Sequence, residues 1–320
     1  MENLPDYLLR KKAGRNLSFV LALLFYLVLG ACFHSGSQDV IDFSAIETLP
    51  RKATTFQGFD DVLLLAVAPV YSPQTTLDLY RALEDYLEDQ LHRQVRLVQG
   101  KTYSEINDLI RAGKTLVAIV CTNAYLEGQE NFGLEALVVP QIDGEVVYYS
   151  YLIVPADSPA HSLTDLREQT FAFSDPLSNS GRLVPVYYLQ QMGETPDSFF
   201  SRTIFTYSHD NSVRAVMGKV VDGAAVDSLV YNFMVERDST VPAKTRILIR
   251  WGPYGINPVV VHPRLDRVLK EKLRTVFLTM HQNTQGQAVL AALGVDRFLP
   301  PNTTSYDSVR MMRDHVGRQP

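Results

Sequence analysis

The run VLLLAVA at 62–68 is apolar at every position, the pattern of a strand covered on both faces of a parallel sheet. Leu77, Tyr80, Leu83, Leu87 and Leu91 then recur at spacings of three and four, which marks one face of an amphipathic helix. Short apolar runs at 95–98, 116–120, 134–140 and 146–154 read as further strands, with a helical pattern at 103–111. The same alternation restarts after Pro155. Strands are expected at 171–173, 203–206, 223–226 and 246–249, and helices at 181–191, 211–217 and 228–235. Ser162 and Asp165 have the spacing of a capping box opening a short helix. Residues 251–255, WGPYG, read as loop, and a long helix is expected after Pro263, with Leu273, Val276, Phe277 and Met280 on its apolar side. Strands alternating with helices predict an α/β fold. Two such units, joined near 152–157 and again near 250–257, predict two lobes with a double crossover that closes around a ligand. The expected division is 55–153 with 255–320 in lobe 1 and 154–254 in lobe 2.

The chain has 320 residues and a net charge of -5. Its first 31 residues carry Arg10, Lys11, Lys12 and Arg15 against Glu2 and Asp6, so the remainder is more acidic than the whole. Such a chain offers no basic stripe to displace counterions from nucleic acid. A small anion is not excluded, because local dipoles bind anions inside proteins of negative net charge.

The basic stretch precedes an apolar run at 17–31 that is long enough for a secretory leader and shorter than the roughly 20 residues of a membrane-spanning helix. It ends in Leu29-Gly30-Ala31-Cys32, which is similar to a bacterial lipobox. The alternative is a single-pass anchor with an incidental cysteine. On the lipobox reading, 1–31 is a removed leader, Cys32 receives lipid, and 32–54 tethers an exported protein to a membrane. The one other cysteine, Cys121, then has no disulfide partner and reads as a buried, inert thiol.

The segment 175–185, DPLSNSGRLVP, places a small polar cluster between a strand and a helix. Ser178, Asn179 and Ser180 there face the point where a helix's unsatisfied N–H groups converge, an anion cradle built from dipoles, with Gly181 letting a ligand approach the backbone. The plainer reading is a serine N-cap and nothing more. The segment resembles the D-P-x-S-x-S-G-x-x-x-P signature of the phosphonate-binding family, the substrate-binding subunits of phosphate, phosphite and phosphonate ABC importers. Other pieces resemble that family in order: Tyr103 within KTYS, Thr122 and Asn123 within VCTNAY, Tyr148 within YYSYLIV, the pair His209-Asp210, the stretch 222–228 and Asn257-Pro258. The likeness spans roughly 60–315.

The resemblance implies a two-lobed, type II periplasmic-binding-protein fold and a phosphoryl group held by the Ser178-Asn179-Ser180 turn. Tyr103, Tyr148 and His209 would donate from around the cleft, with Thr122, Asn123, Asp227 and Asn257 completing it. It implies no cofactor, an ABC permease and ATPase as partners, and a monomer. For each residue a structural role stands beside the ligand role. Tyr148 belongs equally to a tyrosine-rich core strand, Tyr103 to a lobe surface, and His209 to a helix cap with Asp210. Asp227 either accepts a proton from a protonated oxyanion or caps the helix from Ser228. Aminoalkylphosphonate binders of the family place carboxylates near the positions held here by Leu229 and Asn257, which points away from ammonium-bearing ligands and toward compact anions. An enzyme is disfavoured, because Cys121 stands alone and the seven histidines lack metal-ligand spacing. A sensor of the same fold that signals to a partner kinase is not separated from a transport receptor by sequence.

Overall fold

The computed structural model describes residues 62–317; the leader, the lipidation candidate Cys32 and the tether lie outside the described residues. In chain order the main elements are β1 (Val62–Val67), α1 (Pro73–Leu91), β2 (Gln94–Gln99), α2 (Tyr103–Arg111), β3 (Val117–Ile119), α3 (Thr122–Phe132), β4 (Glu135–Gln141) and β5 (Val147–Pro155). They continue with β6 (Thr170–Phe173), α4 (Val184–Gln191), β7 (Arg202–Phe205), α5 (His209–Met217), β8 (Gly223–Asp227), α6 (Ser228–Arg237) and β9 (Thr245–Gly255). The last are β10 (Val259–Val261), α7 (Arg267–Thr279), α8 (Thr284–Leu293), β11 (Arg297–Leu299) and α9 (Asp307–Gly317).

These strands form two sheets, ordered β11-β4-β10-β3-β1-β2 and β7-β6-β8-β5-β9. In the first, β1 runs parallel to β2 and β3, which places the β1–α1 and β3–α3 turns at neighbouring carboxyl ends. In the second, β6 runs parallel to β7 and β8. The carboxyl ends of parallel strands are where open α/β sheets gather ligand groups. The continuous apolar pattern of 62–67 is explained by β1 lying between β2 and β3 with helices on both faces.

The α1 stripe is rotated from the expected one: Leu83, Tyr86, Leu87 and Leu91 are buried while Leu77 stays exposed. The long helix after Pro263 begins at Arg267, not at the proline, because the Asp266 carboxylate caps the amides of Val268 and Leu269 at 2.9 and 3.0 Å. The stretch 251–255, expected as loop, is strand. Trp251 pairs with Ser150, Tyr254 with Tyr148 and Gly255 with Val147, and a register shift between them accommodates Pro253. The paired strands β5 and β9 thus carry the chain into and out of the second sheet. On the far side, α9 ties the two halves together: Arg313 donates to Asn123 and Glu130, and Gln191 pairs with His315.

Candidate functional site

Six turns at carboxyl ends of strands converge between the sheets. The first sheet supplies the turn after β1, the start of α2 and Cys121-Thr122 after β3; the second supplies 174–180 after β6, His209 after β7 and Asp227 at the end of β8.

The 178–183 turn is built as a helix entry. Ser178 is the N-cap: its hydroxyl oxygen accepts the Gly181 amide at 3.0 Å, and Asn179–Leu183 winds as a π-turn into α4. The capping role expected as the plainer reading of Ser178 is therefore occupied. Gly181 does not open the backbone to a ligand as expected. A Cβ there would lie 1.8 Å from Ser174 Oγ and 2.9 Å from His209 Cε1, so the absent side chain is what lets those two pack beneath the turn.

His209 braces the same turn. Its Nδ1 accepts the Asp227 amide at 3.0 Å, which fixes the proton on Nε2, and Nε2 lies 3.4 Å from Ser178 Oγ and 3.5 Å from Ser174 Oγ. Burial pulls its pKa down to about 3, so the ring is neutral at physiological pH. Both nitrogens face protein groups, and the structure places His209 behind the turn rather than at its mouth.

In front of the turn the polar atoms differ. Asn179 Nδ2 donates to Tyr148 Oη at 2.8 Å, a bond in which the phenol oxygen accepts, and the Thr122 hydroxyl is its other side-chain neighbour. Tyr103 Oη, Ser180 Oγ and Asn179 Oδ1 are buried and have no hydrogen-bond partner in the protein. Such atoms normally find one, because a buried unpaired polar group costs about 1–3 kcal/mol. Burial pushes both tyrosines well above the ordinary phenol range, so they are donors at neutral pH. Two buried hydroxyls without acceptors, a third that accepts from Asn179 and one unpaired acceptor make up the polar cradle of the candidate site.

Asp227 sits beside it. Its Oδ1 accepts the Leu229 amide at 2.8 Å, capping α6, and its Oδ2 takes Asn257 Nδ2 at 3.4 Å. Burial raises this carboxyl to about 7, against those hydrogen bonds. Asn257 also receives the amide and hydroxyl of Thr122, each at 3.1 Å, and the Thr122 hydroxyl lies 2.7 Å from the Gly255 carbonyl. Thr122 and Asn257 therefore join β3 to the returning crossover. Asn123 is turned away, its side-chain oxygen held by Arg313 at 2.8 Å.

Three wall residues were not among the ligand contacts expected from sequence, although Cys121 was expected as a buried thiol and Asp175 and Asp210 lie in the segments that carry the resemblance. Cys121 is a buried neutral thiol, pushed up to about 11 by burial, and its sulfur accepts the Asn179 amide at 3.5 Å across the cleft. Asp175 accepts the Leu177 amide at 2.8 Å and, from the opposite lobe, the Tyr103 amide at 3.1 Å. Asp210 reaches Ser72. Their signal was position alone: each stands at a strand end or helix start, where polar side chains are also common for capping.

Residues 65–306 match the family described as the periplasmic phosphonate substrate-binding proteins of ABC transporters. The chain is 33% identical over 159 residues to the phosphonates-binding periplasmic protein of Escherichia coli, a match covering 48% of this chain and 46% of that one, so it spans about half the relative's length. It is 26% identical to the phosphate-import protein PhnD of Mycolicibacterium smegmatis, over 71% of this chain and 74% of that protein. By fold it is similar to a binding-protein component of an ABC phosphonate transporter from Pseudomonas aeruginosa, with TM-score 0.76, 24% identity, and 80% and 87% of the two chains covered. PhnD1 of Prochlorococcus marinus, solved with methylphosphonate, superposes with TM-score 0.73 at 18% identity, over 81% of this chain and 99% of that one. These likenesses establish the two-lobed type II binding-protein architecture.

Proposed function

Because the chain belongs to the periplasmic phosphonate substrate-binding family of ABC transporters, we propose that it is an exported receptor that closes on a small phosphorus oxyanion and delivers it to an importer's permease and ATPase. Phosphate, phosphite and alkylphosphonates all fit that description. The observation that carries the reading is the set of buried polar atoms without protein partners: Tyr103 Oη, Ser180 Oγ and Asn179 Oδ1, beside the Tyr148 hydroxyl.

The chemistry suits a tetrahedral, partly protonated anion. Tyr103, Tyr148 and Ser180 donate to its oxygens, and Asn179 Oδ1 accepts from a P–OH. Asp227, neutral below about pH 7, is a further donor at the edge. Hydrogen bonds to a charged partner are worth roughly 1.5–3 kcal/mol each, and a micromolar complex needs about 8 kcal/mol. Four or five such bonds supply that without a lysine or arginine. The N-terminus of α4, with its π-turn, adds its dipole. On the expected division into lobes 55–153 with 255–320 and 154–254, the strands β5 and β9, which lie side by side in the second sheet, would serve as the hinge of closure.

Titration calorimetry with phosphate, phosphite and methylphosphonate tests the reading. At least one is expected to bind at micromolar strength or tighter, weakened about tenfold or more by Ser180→Ala and by Tyr148→Phe. Well-folded protein that binds none of them refutes it. Anchoring through Cys32 belongs to the same proposal and has its own test. Cys32→Ser is expected to move the protein from the membrane fraction to the soluble exported fraction, and unchanged membrane retention speaks for a spanning anchor instead.

A further inference from the structure

Beside the cradle lies a cavity of about 100 Å³ that the phosphoryl chemistry does not use. Asp227 and Asn257 line it, and the Asp227 carboxyl is also near enough to Tyr103 and Tyr148 of the cradle to act on both phenols. From there it runs into the first lobe, against the ends of the central strands at Val67, Ile119 and Val259 and under Leu83 of α1. Leu293, Val295 and Phe298 form its far end. At the outer side Tyr71 meets the edge of Phe233 from the opposite lobe, ring centroids 5.4 Å apart, and the Arg237 guanidinium covers Phe233 at 3.5 Å.

The lining is apolar apart from Asp227, Asn257 and the phenols of Tyr71 and Tyr80. Asp227 is the one carboxyl among the described residues that line it, and no lysine, arginine or histidine does. That carboxyl is already bonded to the Leu229 amide and Asn257. A ligand ammonium would lose its water there with a single, already engaged partner, an arrangement that buried charges do not tolerate. A hydrocarbon chain loses nothing by entering.

Resting on the receptor reading above, we infer that the cavity is a substituent pocket, and that the preferred ligand is a phosphonate carrying an uncharged alkyl chain longer than methyl. A phosphonate has three oxygens for the hydroxyls of Tyr103, Tyr148 and Ser180, which leaves its fourth bond, to carbon, for the side walled by Asp227 and Asn257. A dry apolar cavity of about 150 Å³ admits benzene, so this one takes roughly three to four carbons. The expectation from sequence that the most compact anions are preferred is revised accordingly, while the discrimination against an ammonium is kept.

The test is a calorimetric ladder on the full-length protein: methyl-, ethyl-, n-propyl-, n-butyl-, n-hexyl- and 2-aminoethylphosphonate. Affinity is expected to rise about fourfold per methylene as far as butyl, and to stop rising or fall at hexyl. n-Propyl- and 2-aminoethylphosphonate are nearly isosteric, and the propyl compound is expected to bind at least tenfold tighter. In Val295→Phe, which narrows the far end, the butyl-to-methyl affinity ratio is expected to collapse toward one. Methylphosphonate binding with no gain along the ladder, or equal binding of the propyl and aminoethyl compounds, overturns the pocket and leaves the receptor standing. An unchanged ratio in Val295→Phe also overturns the placement. Binding of none of the series overturns the pocket, and the receptor reading falls with it only if phosphate and phosphite also fail to bind.

Discussion

The carboxylate of Asp210, at the start of α5, receives both the amide of Ser72 at 2.8 Å and its hydroxyl at 2.6 Å. One lobe's helix entry is thereby tied to the other's. The His209 amide adds a bond to the Val70 carbonyl at 2.9 Å, and Arg214 holds the outer face of Asp210 at 2.7 Å. On the closure proposed above, this latch belongs to the closed form, so it sets the closed population and, through it, the apparent affinity.

Ser72→Ala removes one charge-assisted bond and keeps the amide contact. A loss of about 1.5 kcal/mol predicts roughly tenfold weaker ligand binding, expressed in faster dissociation by stopped flow with little change in melting temperature. A drop in melting temperature with unchanged dissociation would assign Ser72 a folding role only.

Tyr103 separates ligand chemistry from packing. Its hydroxyl is buried without a protein partner, so Tyr103→Phe removes an unpaired polar group and keeps the ring. The expected outcome is a melting temperature, without ligand, equal to or above the wild type, together with affinity about tenfold lower. A phenol that merely stabilised the lobe would show the reverse order, with stability lost and binding kept.

Two neighbouring groups titrate in opposite senses. His209, lowered from 6.5 to about 3, contributes stability that is present above pH 6.5 and is lost as pH falls toward 3. Asp227, raised from 3.8 to about 7, contributes stability that is present below pH 3.8 and is lost as pH rises through 7. Between about pH 4 and 6.5 the two slopes oppose each other. Thermal or urea unfolding across that range is therefore expected to show stability rising with pH in Asp227→Asn and falling with pH in His209→Gln. Parallel profiles for the two variants contradict the assignment.

Asp227 also predicts how binding responds to pH. Its neutral carboxyl donates to the anion, whereas its ionised form repels it. The ratio of wild-type to Asp227→Asn affinity, in which the ligand's own titration cancels, is expected to fall as pH rises through about 7. A ratio independent of pH from 6 to 8 would place Asp227 in helix capping alone.

The lobes were legible because β1 and the α1 stripe bury enough apolar surface to impose a pattern of their own. The three-residue strands β10 and β11 were not, since they are too short for periodicity and are defined by their partners β3 and β4. WGPYG carries every local mark of a turn, and only pairing with β5 makes it a strand. Within the site, sequence located the Ser178-Asn179-Ser180 turn but not the division of labour inside it. Ser178 caps, Asn179 orients Tyr148, and Ser180 keeps an unpartnered hydroxyl, a distinction that depends on what stands opposite each atom. His209 and Asn123 were candidates through the family resemblance; their nitrogen and oxygen atoms face Ser178, Asp227 and Arg313 because of the way the elements pack.

The most direct test of the central claim is calorimetric titration of the full-length protein with phosphate, phosphite, methylphosphonate and sulfate, repeated in Ser180→Ala and Tyr148→Phe. Micromolar or tighter binding of at least one phosphorus anion is expected, about tenfold weaker in each variant. Sulfate, which has no proton to give Asn179 Oδ1, is expected to bind more weakly. A folded protein that binds none of the phosphorus anions, or binds one equally well in both variants, would contradict it.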